Sequence, residues 1–346
     1  FMKNIFKNKN ILVTGGTGSI GLEIVKQLLK YKPKVIRVFA RHEDRHHSVM
    51  QSLDLEGYGG SNLRFIIGDV RDKDRLQMAM NGIDIVFHAA ALKHVPLCEY
   101  NPFEAVKTNI IGTQNVIEAA RDAGVDRVIG ISTDKVVDPQ SVLGVSKLMA
   151  EKLFLATYFY QGDKKTKFSC VRFGNVLGSR GSILPVIKRQ VASNKEVTVT
   201  DPEMTRFVMT IPQAVGLVLR AAELSRGQEV FILKMPITRI GDLIEAAVKY
   251  YAPQFNKKAE DVKIKFIGRR GGEKHNERLL AGHEVGRALE TKDMFILTPD
   301  EDAGSKKYEK FYPSAIPAAK HNNFISKNVK KLSKKELFNL IKKIDL

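Results

Sequence analysis

Short apolar runs that stop at glycine alternate with longer stretches in which apolar residues recur every three or four positions. Residues 10–16 read as a buried strand broken by Gly15 and Gly16, and the run after it places Ile24, Val25, Leu28 and Leu29 on one side of a helix. Further strands are expected at 35–40, 63–67, 83–88, 128–131 and 168–173. Between them the pattern predicts a helix from Lys73, a long amphipathic helix over 103–123 (Val106, Ile110, Val116, Ile117) and a helix after Pro139. Strand, helix and strand recurring with short connections predict an α/β fold, a Rossmann-type doubly wound parallel sheet. Beyond residue 173 the regularity loosens, and a smaller α/β unit is expected. The expected division is 1–178 with a return segment near 205–235, then 179–204 with 236–325, then a C-terminal helix in 326–346. That last stretch carries Leu332, Leu337, Phe338, Leu340 and Ile341 among lysines, the pattern of an amphipathic helix with a solvated face.

Composition narrows the class without changing the fold. With 43% hydrophobic and 27% charged residues over 346 positions, the chain is of ordinary globular composition. A formal charge of +18 suits a lysine-rich surface and a basic lining for a phosphate-bearing ligand; no nucleic-acid partner is expected. Two distant cysteines, Cys98 and Cys170, argue against a disulfide scaffold or a cysteine zinc site and point to a reducing, cytoplasmic setting. No apolar run approaches the roughly 20 residues that span a bilayer, and no metal site is expected, His46-His47 reading as surface.

Candidate chemistry gathers at the predicted strand ends. Gly15-Gly-Thr-Gly-Ser-Ile-Gly21 follows a strand and opens a helix, the setting in which glycines let a pyrophosphate approach the helix N-terminus. The next strand ends in Ala40-Arg41-His42, with Arg45 beyond, where an acidic residue commonly meets a ribose; Arg41 suits a 2′-phosphate, so NADP is expected over NAD. Asp69 ends the third strand, either accepting from an adenine amino group or capping the helix from Lys73. Ala89-Ala90-Ala91 allow a flat ligand across the strand ends, and Lys93-His94 follow at the same edge. The fifth strand runs into Ser132-Thr133-Asp134-Lys135, a Pro139 turn and a helix that carries Leu143 and Lys147 one turn apart. Three arginine-bearing loops (174–182, 201–207, 266–274), the first and third also rich in glycine, match the needs of a diphosphate pocket.

At these residues the chain resembles the extended short-chain dehydrogenases/reductases. More narrowly it is similar to the UDP-N-acetylglucosamine 4,6-dehydratases of polysaccharide and capsule biosynthesis. The likeness runs through Thr14–Gly21, His88–Pro96, Lys107–Thr113, Ser132–Lys135, Arg172–Val176, Gly178–Ser182, Met204–Phe207 and Gly272–Lys274. Relatives carry Tyr or Met at the place of Leu143; leucine cannot move a proton and is chemically closer to methionine.

The resemblance implies a lyase reaction without net redox change. Hydride leaves C4 of the sugar for the nicotinamide, a base removes H5, an acid protonates the departing 6-hydroxyl, and hydride returns to C6. By resemblance Lys135 is the base and Asp134 the acid, Thr133 relays the C4 hydroxyl proton, and Lys147 binds the nicotinamide ribose. A lysine base needs a lowered pKa, expected here from Lys147 and the cofactor's charge. Cofactor contacts are expected from Gly15, Thr17, Gly18, Ser19, Ile20, Gly21, Arg41, Asp69, Val70, Ala89, Ala90, Ala91, Lys93, Asn109 and Lys147. Sugar-nucleotide contacts are expected from Lys93, His94, Asn175, Arg180, Ser182, Thr200, Arg206, Arg270 and Glu273. The resemblance leans towards inversion at C5 and towards a homo-oligomer, a hexamer by analogy. A UDP-N-acetylhexosamine 4-epimerase and a catalytically weak nucleotide-sugar binder are the alternatives; Leu143 counts against the first, and retention of Thr133, Asp134, Lys135 and Lys147 against the second.

Overall fold

In the computed structural model, residues 4–58, 60, 62–160, 162–163, 165–299, 310–318 and 324–344 are described. Strands β1 (Asn10–Thr14), β2 (Val35–Ala40), β3 (Leu63–Ile67), β4 (Ile85–His88), β5 (Arg127–Ile131) and β6 (Lys167–Arg172) follow the predicted apolar runs closely. They are joined by α1 (Ser19–Leu29), α2 (Glu43–Leu55), α3 (Lys73–Met80) and, later, α7 (Val142–Ala156). The order across the sheet is β3-β2-β1-β4-β5-β6-β10, all parallel, with β10 at Val230–Leu233. The order reverses between β1 and β4, and at such a switch point the strand ends leave a crevice for a ligand. Ile11, Leu12 and Val13, and Val86 and Phe87 beside them, are fully buried, as expected of central parallel strands covered on both faces.

The helix expected over 103–123 runs without a break from Pro102 to Asp122, as α5 (Pro102–Ala105), a π-helical turn at Val106–Ile111 and α6 (Gly112–Asp122), and the short α4 (Val95–Tyr100) precedes it. Within the wide turn Asn109 is buried, where its amide accepts from the Leu92 N–H (2.8 Å) and donates to the Leu92 carbonyl (3.1 Å) and Ser146 Oγ (3.0 Å). Periodicity could not show this, because one π turn leaves the apolar spacing on either side nearly unchanged.

The second half departs further from the expected division. Strand β7 (Asn175–Leu177) pairs with β9 (Thr205–Thr210), which pairs with β11 (Ile237–Arg239), while β8 (Val197–Val199) pairs with β12 (Ile264–Phe266). The return segment is present: α9 (Ile211–Leu224) packs against α1, and β10 joins the main sheet. Residues placed in the smaller unit by sequence, however, extend the main sheet antiparallel as β13 (Ala288–Glu290), β14 (Met294–Leu297) and β15 (Ile316–Pro317). A separate apolar cluster joins α8 (Ile183–Ala192), α10 (Ile240–Tyr251) and the C-terminal α11 (Lys334–Ile344), through Leu184, Ile187, Ile244, Val248, Leu337 and Ile341.

One polar network crosses this architecture. Arg172, at the end of β6 and 1% exposed, donates to Glu151 on α7 (2.5 Å), to both oxygens of Glu284 (2.9 and 3.0 Å) and to the Leu279 carbonyl (2.9 Å). Ser132, just past β5, donates to Glu151 at 2.7 Å. Burial alone would raise the Glu284 pKa, but the hydrogen bond and charge of Arg172 outweigh it and hold the carboxyl below its usual range. Replacing Arg172 with Met should deprive two buried carboxylates of their guanidinium partner and cost about 3–5 kcal/mol in urea denaturation; a loss under about 1 kcal/mol would contradict this role. The share owed to Glu284 should be complete above the ordinary carboxylate pKa and fade as pH falls through its lowered value.

Candidate active site

The glycine turn before α1 packs too tightly for side chains. Gly15 has φ +66°, and a Cβ there would lie 2.7 Å from the Ala90 nitrogen; a Cβ at Gly21 would lie 2.3 Å from the Gly15 carbonyl. Ser19, Ile20 and Gly21 begin α1, so their backbone N–H groups face the turn's open side. A crevice opens beside it, lined by Gly15, Thr17, Gly18, Arg41, Asp69, Val70, Ala89, Ala90 and Ala91, all expected cofactor contacts. Phe39, Ala40, His42, Arg45, Gly68, Leu92 and Thr108 complete the lining. An extended anionic ligand with a flat ring fits this shape and charge.

Asp69 does not cap α3. Asp72 does, accepting from the Arg75 N–H at 2.9 Å, while Asp69 is held by Arg71 (2.8 and 3.0 Å) and lies 3.9 Å from Arg41. Burial would raise the Asp69 pKa, but hydrogen bonds and charge from Arg71 outweigh it, so the carboxylate stays ionised below its usual range. Lys93 Nζ donates to the Arg180 carbonyl at 2.5 Å. The Arg180 backbone N–H donates to Ser19 Oγ (3.0 Å) and its guanidinium to the Thr17 carbonyl, so this arginine lies over the glycine turn rather than deep in the second unit. His94 packs under Gly181, whose φ is +74° and whose added Cβ would meet the imidazole at 2.2 Å. Burial, then Lys93, lowers the His94 pKa.

Past β5 the chain bends into a 3₁₀ turn, Asp134–Val136, which answers the requirement that neighbouring side chains of a strand be brought to one side. The Thr133 hydroxyl donates to Asp134 Oδ1 (3.0 Å), and Lys135 Nζ donates to the same oxygen (2.9 Å). Asn175 Oδ1 lies 3.4 Å from that ammonium and Glu277 Oε1 3.9 Å from it. Asp134 is fully buried, and Gly174 makes room for it: a Cβ there would come 2.9 Å from Asp134 Oδ2. Contrary to expectation, the Lys135 pKa is raised. Burial pushes it down, but Asp134 and Glu277 together outweigh burial, and the opposing cation is Arg206 rather than Lys147. Lys147 is itself buried and its pKa lowered by desolvation, which the nearby Glu151 carboxylate opposes. It also contributes to holding buried His88 neutral: burial, then Lys147, brings that pKa to about 3, and the imidazole sits between Thr14 Oγ1 (2.7 Å) and Thr113 Oγ1 (3.1 Å).

Leu143 is buried with Cys98 and Ala105, so the position is filled by packing and offers no proton. Of the other expected substrate contacts, Ser182 precedes α8 and Thr200 follows β8. Glu273 lines a second cleft with Asp138, Gln140, Arg269, Lys274 and His275, while Arg270 is exposed and its N–H donates to Glu273 (3.2 Å). Arg206 is buried, and its guanidinium donates to the carbonyls of Thr205, Lys274 and His275. That structural duty was invisible in sequence, as was Glu277, which stands in no pattern that marks it. α7 approaches the reactive turn because of Gly144, where a Cβ would come 2.5 Å from the Lys135 carbonyl. Gly144→Ala should overpack this contact and cost about 1–3 kcal/mol by chemical denaturation. Gly286→Ala, with open space around the added carbon, serves as the neutral control; equal losses at both sites would refute the close approach.

Comparison with known proteins agrees with this architecture. Residues 11–299 match the family model described as polysaccharide biosynthesis protein. A Methanocaldococcus jannaschii protein described as an uncharacterized membrane protein is 51% identical, over 99% of this chain and 98% of its own length. A Campylobacter jejuni UDP-N-acetylglucosamine 4,6-dehydratase (inverting) is 42% identical over 85% of this chain and 84% of its own. A Rickettsia rickettsii protein named UDP-glucose 4-epimerase is 38% identical over 99% and 97%. The crystal structure of Pen from Bacillus thuringiensis superposes with a TM-score of 0.88 at 41% identity, covering 99% of both chains. Among the described residues no helix is long and apolar enough to cross a membrane. On the family model and these near full-length likenesses, the chain belongs to the polysaccharide biosynthesis protein family of extended short-chain dehydrogenases/reductases.

Proposed function

We propose that this chain is a UDP-N-acetylglucosamine 4,6-dehydratase that uses NADP and releases a UDP-4-keto-6-deoxy-N-acetylhexosamine. The observation that carries the reading is the Thr133–Asp134–Lys135 relay at the carboxyl end of β5, beside the glycine-turn crevice and without a proton-moving group at Leu143. The 42% identical relative named for this reaction supports it. The crevice would hold the cofactor, whose nicotinamide supplies the acceptance and return of hydride. Arg41, His42 and Arg45 at its ribose end favour a 2′-phosphate.

The side chains then divide the proton work. Thr133 Oγ hydrogen-bonds the C4 hydroxyl and passes its proton along the 3.0 Å contact to Asp134 Oδ1. Asp134 is thereby the acid for the departing 6-hydroxyl, using the proton that it has just received. The C4 carbonyl acidifies H5, which the Lys135 amine removes and afterwards returns to C5. Atoms balance as loss of one water. Exposed Leu97, Tyr100 and Phe103 on consecutive helices α4 and α5 support a homo-oligomer. A cytoplasmic setting is part of the proposal, in keeping with two unpaired buried cysteines.

A 4-epimerase is the second reading, favoured by the relative that carries that name over nearly the whole chain. Mass spectrometry after incubation with UDP-N-acetylglucosamine separates them: loss of water is expected, and an isomer of unchanged mass would establish the epimerase instead. Lys135→Ala should abolish exchange of H5 with heavy water; undiminished exchange removes Lys135 from the base role. Arg41→Ala should weaken NADP binding about fivefold or more, the loss of a charged contact of 1 kcal/mol or so, and NAD far less. Equal weakening would defeat the 2′-phosphate argument.

A further inference from the structure

We infer that Glu277 is a positioning residue that takes the ammonium proton of Lys135 before H5 is removed and hands it back after turnover. This rests on the dehydratase reading and deepens it. In the free protein Lys135 is a cation bound to Asp134, and a cation cannot abstract H5. Its proton needs an acceptor. Asp134 is unsuitable, because it must already hold the C4 hydroxyl proton in order to protonate the leaving group. Asn175, the next contact at 3.4 Å, offers an amide oxygen, which does not take a proton at neutral pH. Among the described residues one other carboxylate faces the ammonium, Glu277, with Oε1 at 3.9 Å.

The surroundings of Glu277 suit an intermittent proton holder. It is 3% exposed, and its Oε2 has no hydrogen-bond partner, unusual for a buried carboxylate oxygen. The groups facing it are Lys135 and Asp134 from the reactive turn, Arg206 from β9, and Lys274, whose ammonium lies 3.7 Å from Oε2. Burial, the largest influence, raises the Glu277 pKa, and Asp134 adds to this while the three cations oppose it. The Glu277 backbone is fixed by Ser326, whose Oγ accepts its N–H at 2.9 Å and whose own N–H donates to its carbonyl at 2.9 Å. A closure of about 1 Å brings Oε1 into hydrogen-bond range of Nζ. The N–H bond at Lys135 then breaks as an O–H bond forms at Glu277, and the pair passes from ammonium and carboxylate to amine and acid. After H5 has been taken and returned to C5 the same proton goes back, so the cycle needs no proton from solvent.

An internal transfer leaves a kinetic signature. The wild type should dehydrate UDP-N-acetylglucosamine with a kcat nearly constant from about pH 6.5 to 8.5, whereas Glu277→Gln must lose the Lys135 proton to water and should rise about tenfold per pH unit. H5 exchange in Glu277→Gln should be lost near neutrality and return at alkaline pH, and Glu277→Asp should restore a flatter profile. A residue that only supports the fold would lower the rate by the same factor at every pH, and parallel profiles in wild type and Glu277→Gln would overturn the inference. A wild-type kcat that itself climbs tenfold per pH unit overturns it without any variant, even if Glu277→Gln does not fold. Absence of dehydration by the wild type would instead bring down the functional reading on which this one stands.

Discussion

Arg172 is the residue on which the arrangement of this molecule depends. Its guanidinium is sealed from water and held by Glu151 and Glu284, residues 21 and 112 positions away in the chain. Through them the end of β6, the middle of α7 and the 282–287 turn share one set of charge-assisted hydrogen bonds, and Ser132 joins from the end of β5. Such a network is costly to desolvate, and its worth lies less in net stability than in geometry: any shift of one element strands a buried charge. The reactive turn at Thr133–Lys135 begins one residue after Ser132 and inherits that rigidity.

Charge pairing also settles the resting state of the site. Burial lowers the pKa of this part-buried lysine, Lys135, but Asp134 and Glu277 outweigh it and favour the cation. That resting state is opposite to the one in which the proposed base would work. The problem of the chemistry thus moves from how lysine is made weakly basic to where its proton goes, and the cluster of two carboxylates with Lys135, Lys274 and Arg206 is where the answer has to lie. Leu143 fits the same picture. Buried against Cys98 and Ala105, it supplies volume where a tyrosine would supply a proton, in keeping with the proposal that the strand-end residues do the acid–base work.

Local features of the chain were legible because each depends on neighbours in sequence. The glycine turn, the strands up to β6 and the small residues at 89–91 follow from periodicity and from what a backbone can do without a Cβ. Glycine-turn and strand-end residues expected at the cofactor, from Gly15 to Ala91, line one crevice. Where distant segments intervene, local pattern was not enough: β13 to β15 return to extend the main sheet antiparallel.

From sequence alone came the α/β class, the ligand edge of the sheet and the types of residue available for chemistry, since these are written in spacing and in side-chain identity. The tertiary structure decided which charges meet. Glu277 carries no local mark, and only the fold brings it to within 3.9 Å of Lys135. The same is true of Arg172, which reads as one more strand-end arginine until the chain closes around it. Electrostatic energy in a dry interior depends on distance and burial, and neither is a property of position along the chain.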